Sequence, residues 1–118
     1  MTTSRNRHEE SPTATPGSDV AARRDRCFRD LVAAVVDGPG VLPPEVRAAL
    51  VAGGAPPEAW AAFAAKVADG GLAVTDDDVA ALAAAHGEDA VFECVVAVAV
   101  GAGQVRLRAV EALLAESR

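Results

Sequence analysis

The chain has 118 residues, 17 acidic against 11 basic side chains for a net charge of −6, and 51% hydrophobic but only 3% aromatic residues. That length fits one small domain, and the acidic surplus argues against a nucleic-acid partner, whose phosphates require clustered Lys and Arg. With alanine supplying much of the apolar count, the core must be built from small side chains, which suits closely approaching helices.

The N-terminal stretch MTTSRNRHEESPTATPGSD carries basic residues but no apolar run, so it does not read as a signal peptide. Its Ser, Thr, Pro and charge predict a disordered tail over residues 1–18, with His8 solvated in it. Residues 19–118 then form a single helical domain. Without an export signal, Cys27 and Cys94 are expected as free thiols in the cytoplasm. The abundance of Ala, Val, Gly, Arg and Asp suits a high-GC bacterial genome.

Helical spacing begins at VAARRDRCFRDLVAAVV, where Val20, Cys27, Phe28, Leu31, Val32, Val35 and Val36 recur at steps of three and four. Cys27 lies on that apolar stripe and is expected to be buried. Its arginine neighbours Arg23, Arg24, Arg26 and Arg29 would favour a thiolate, making it the better reactive candidate of the two cysteines. DGPG at residues 37–40 stops the helix. Two echoing segments follow, LPPEVRAALVAGG and APPEAWAAFAAKVADGG. Each opens on prolines, whose missing N–H costs nothing at a helix start, and each puts a glutamate in the first turn and closes on a glycine pair. Trp60 and Phe63 share one face of the second and predict core packing or a subunit interface.

In AVTDDDVAAL, Thr75 is the expected N-cap, with Asp78 returning the contact of a capping box and Val74 and Val79 placed for a hydrophobic staple. Asp76, Asp77 and Asp78 read as helix capping. The spaced oxygen ligands and glycine turn of a calcium loop are missing. The closing segment EDAVFECVVAVAVGAGQVRLRAVEALLAESR predicts one long helix over about residues 88–116, with Gly101 and Gly103 either bending it or admitting another helix. Its uncharged run is too short to span a bilayer, and no second strand exists to pair with it as a strand. Cys94 within it reads as a core residue. The expected fold is therefore all-α, a small bundle of about five helices with a long apolar C-terminal helix.

The residues VTDDDVAALAAAHGEDAVFECVVAVAVGAGQVRLRAVEAL, with Glu88 and Asp89 before the Phe92–Glu93 step, resemble the AhpD-like (carboxymuconolactone decarboxylase-like) superfamily. The resemblance implies a helical hairpin, in which a capped short helix leads through a glycine turn into a long apolar one, and assembly of subunits through helices. Self-association also follows from the size of the chain, because a small helical domain buries a modest share of its surface alone. The dithiol peroxidases of that superfamily carry Cys-x-x-Cys with a following His. Here no Cys-x-x-Cys exists and His86 precedes Cys94, so no catalytic residue carries over.

The expected function is thus a non-catalytic, oligomeric binding or interaction protein without cofactor, metal, nucleic-acid or membrane partner. Two alternatives stand beside it. One is a small-molecule enzyme using His86 with Glu88, Asp89 or Glu93 as general acid and base. The other is a one-cysteine redox sensor built on Cys27 or Cys94, although the carboxylate of Glu93 next to Cys94 would raise that thiol's pKa. Two His and two Cys lack the spacing of a zinc site.

Overall fold

A computed structural model describes residues 16–117, and it holds five helices and no strand among them. They are α1 (Pro16–Asp37), α2 (Pro44–Ala52), α3 (Glu58–Ala68), α4 (Asp76–His86) and α5 (Glu88–Glu116). The all-α fold with a long apolar C-terminal helix is as the periodicity predicts. Most of the expected tail, with His8, lies outside the described residues. Helix α1 nevertheless begins at Pro16, inside the stretch expected to be tail, because proline's fixed φ suits a first helical turn.

The chain divides after Leu31 into two compact units. The first contributes the N-terminal part of α1. The second, from Val32 onward, contains the last turns of α1 and all of α2 to α5. Within it α5 is the central element, and α2, α3 and α4 each pack against it.

Local chemistry sets the helix ends. Pro44 occupies the start of α2, and both α2 and α3 end in the same motif. Gly53 N–H bonds to Leu50 O and Gly54 N–H to Ala49 O, while Gly70 N–H bonds to Val67 O and Gly71 N–H to Lys66 O. Gly53 and Gly70 have φ of 71° and 102°, a conformation cheap only for glycine, and each satisfies carbonyls that the helix end would leave bare. The echo in the sequence is thus a repeated stop signal.

Helix α4 opens on the expected capping box. Asp78 N–H donates to Thr75 Oγ1 at 3.1 Å, and Thr75 N–H donates back to Asp78 Oδ2 at 3.0 Å. Lys66 of α3 reaches the same carboxylate oxygen at 2.8 Å. That ammonium first, and the Thr75 N–H after it, hold the Asp78 carboxyl below its ordinary pKa.

The core follows the small-residue prescription. On α5, Ala90, Cys94, Ala97 and Gly101 are buried at steps of four, three and four, which places them along one side of the helix. Leu42, Leu50, Val51, Trp60 and Phe63 close over them from the α1–α2 loop, α2 and α3. The tightest approach is at Gly101, where a Cβ would stand 2.0 Å from the Val51 carbonyl oxygen and 2.8 Å from its carbon. Gly103 meets nothing within 4 Å, so only the first of these two glycines serves a helix contact.

Among the described residues α5 is also the one helix long and apolar enough to cross a membrane by length and composition, with a mean hydropathy of 1.6. The uncharged run alone is short, but a longer window carrying very few charges meets the same measure. In this structure the inner face of the helix is covered by protein.

The two glycines predict opposite outcomes. Gly101→Ala is expected to lower stability by about 3 kcal/mol, because the clash is with main chain that no rotamer change relieves. Gly103→Ala is expected to raise it by ~0.5–1 kcal/mol, through the removal of a mid-helix glycine. Urea denaturation of the two variants against the wild type measures both.

Candidate functional site

The loop between α1 and α2 runs through Gly38, Pro39, Gly40, Val41 and Leu42, and leaves main-chain polar groups without helical partners. Two side chains from different helices take them up. Glu93 of α5 accepts from Val41 N–H at 2.7 Å through Oε2 and from Leu42 N–H at 2.8 Å through Oε1. Arg47 of α2, only 5% exposed, donates from Nε to Leu42 O at 3.0 Å. Its Nη1 reaches Val35 O at 2.9 Å and Gly38 O at 2.8 Å. A buried guanidinium needs its donors satisfied, and here carbonyl dipoles do this in place of a carboxylate. Gly40 completes the arrangement, since a Cβ there would stand 2.9 Å from Glu93 Oε1.

This occupies one of the four groups considered for acid–base work. Both carboxylate oxygens of Glu93 are bound to backbone N–H groups, so its role in the structure is to hold the loop. His86, Glu88 and Asp89 are exposed. The His86 ring lies against Trp60, with centroids 4.8 Å apart and planes inclined at 39°, and so covers an edge of the buried indole. No hydrogen bond joins His86, Glu88, Asp89 and Glu93 to one another among the described residues. No group of three or more His, Cys, Asp or Glu able to hold a metal ion occurs among the described residues either, and the three aspartates of α4 serve its first turn.

The cysteines separate sharply. Cys94 is fully buried, and burial pushes its thiol up to about 11, which suppresses the thiolate that any peroxide chemistry would need. Cys27 is exposed, contrary to the burial expected from its position in the stripe. The residues of α1 that pack on the core are Val32, Val35 and Val36, and at 100° per residue Cys27 falls about 130° round the helix from them.

Two hollows flank α5. The smaller, about 390 Å³, lies among α2, α3 and α5 and is lined by alanines and other small or apolar residues, with Val98, Gly101, Val105 and Arg106 among those contributed by α5. The larger is an open apolar groove of about 900 Å³. Its floor is α5, from Glu88 through Phe92, Val95, Ala99 and Ala102 to Arg106, and its walls are α3, the turn after it, and α4. Phe92 is 69% exposed there, and Leu72, in the turn of that wall, is 98% exposed. Further along α5, Val105, Val110, Leu113 and Leu114 are more than half exposed. Sequence reasoning missed the groove. Its signal was present as a second set of apolar and small residues on α5, at 92, 95, 99 and 102, beside the buried set at 90, 94, 97 and 101.

Comparison with known proteins returns no match: no family model fits the chain, and no curated protein or solved structure is significantly similar to it.

Three measurements test these assignments. A small alkylating reagent at neutral pH is expected to modify Cys27 at once in the native protein and Cys94 only after unfolding. Because the Cys94 pKa is raised in the folded state from 9.0 to about 11, its contribution to stability is complete below pH 9 and is lost as pH rises toward 11. Cys94→Ala is expected to flatten that alkaline decline. Separately, Glu93→Ala is expected to cost about 2–3 kcal/mol in denaturant unfolding by stripping two N–H groups of a charged acceptor. His86→Ala, which loses one exposed ring contact, is expected to cost less than about 1 kcal/mol.

Proposed function

We propose that this chain is a non-catalytic, self-associating helical interaction protein of the cytoplasm, AhpD-like in its α4–α5 hairpin but without a dithiol peroxidase site. The observation that carries the proposal is the open apolar groove along α5, continued by exposed valines and leucines toward the end of the helix. Apolar surface of this extent, contiguous and edged by charge, is the usual mark of an interaction site. The hairpin itself supports the likeness: a capped short helix, a turn at Gly87, then a long apolar helix with Cys94 in its core. The sequence has no Cys-x-x-Cys, and the Cys94 thiol is fully buried.

A second copy is the natural occupant of such a face in a chain whose small core leaves so much apolar surface uncovered. Sedimentation equilibrium over a range of protein concentrations tests this. The wild type is expected to show a reversible increase in mass with concentration. Phe92→Asp is expected to remain monomeric with an unchanged circular dichroism spectrum, since its side chain is already largely in water. A wild type that stays monomeric throughout, or one that turns over organic hydroperoxide with a thiol reductant, overturns the proposal.

A further inference from the structure

Glu88 and Arg106 are the acidic and basic residues that α5 contributes to the groove. Eighteen residues separate them, which is five full helical turns, so they point to the same side of α5 about 27 Å apart. Both are exposed, and neither makes an ion pair or side-chain hydrogen bond among the described residues. Between them the floor carries one large side chain near the Glu88 end, Phe92, and a small one near the Arg106 end, Ala102. Along α5 itself the groove face is therefore asymmetric in charge and bulk, with Glu88 and Phe92 toward one end and Arg106 and Ala102 toward the other, while α4 adds the carboxylate of Asp76 to the wall.

A surface of that kind is complementary to itself when turned end for end. We propose, building on the self-association argued above, that two copies pair antiparallel along α5 about a two-fold axis, each Arg106 meeting Glu88 of the second copy. This register puts the axis at the level of Ala97. Phe92 then comes level with Ala102 of the second copy, large against small, and Val95 with Ala99. The same contacts occur twice, as an isologous interface requires. A groove of about 900 Å³ holds side chains, not a whole helix, so the second copy inserts Phe92, the most exposed large apolar side chain of its own floor, and leaves its backbone outside. Beyond Arg106, the exposed Val110, Leu113 and Leu114 extend toward the α4–α5 turn of the other copy. The opposite charges set the register, because a parallel pairing would juxtapose like charges at both ends.

Charge reversal tests the register directly. Glu88→Arg and Arg106→Glu are each expected to weaken the dimer at least about tenfold in sedimentation velocity, since each sets like charges together at both ends of the interface. Glu88→Arg/Arg106→Glu together are expected to restore it to within about threefold, and mixing the two single variants is expected to yield a heterodimer, since each pair is complementary again. Thermal melts of the single variants check that each is folded. If the wild type associates but the single reversals leave its dissociation constant unchanged, or neither the double variant nor the mixture recovers the dimer, this register is overturned while self-association stands. A monomeric wild type removes both.

Discussion

The close crossing of α2 and α5 at Gly101 is the constraint on which the rest of the described structure depends. With so few aromatic residues, the core cannot be filled by bulk, so it is filled by proximity. Dispersion contacts fall away steeply with separation, and alanine-sized side chains contribute to a core only if the backbones behind them come near. Ala90, Cys94, Ala97 and Gly101 make one side of α5 narrow enough for that, and a carbonyl of α2 rests where a Cβ would otherwise be. The larger residues, Leu50, Trp60 and Phe63, then close the margins.

The α1–α2 loop buries Leu42 and half-buries Gly38, and two side chains take up its main-chain donors and acceptors. The division of labour there is simple. A carboxylate, which only accepts, takes the two N–H groups, and a guanidinium, which only donates, takes the three carbonyls. Glu93 and Arg47 thus act on the same loop without forming a pair with each other. This explains how an arginine can be almost fully buried in so small a core, and why a glutamate that stands in a promising sequence context is committed to architecture.

The same economy leaves the outer side of α5 undressed. One helix carries two apolar tracks, one turned to α2 and α3 and one forming the floor of the groove. Among the described residues no further helix lies over the second track. The outward exposure of Phe92, Val110 and Leu113 is a consequence of packing the rest on the inner track, and it makes association the property most worth measuring.

The sequence by itself determined the helices and their ends. Three- and four-residue spacing, proline at helix starts, glycine pairs at stops and the Thr75–Asp78 box are local, each decided within a turn or two of chain, and they emerge in the structure nearly where the residues predict. The role of Cys94 as a core residue was legible for the same reason. What only the tertiary structure decided is everything that depends on which face meets which. Glu93 could be read as a proton relay until its oxygens were found on a loop some fifty residues earlier in the chain. Cys27 could be read as buried until the packed side of α1 was fixed by Val32, Val35 and Val36. The groove is the clearest case, since a helix that is apolar nearly all round gives no one-dimensional sign of which side its neighbours will cover.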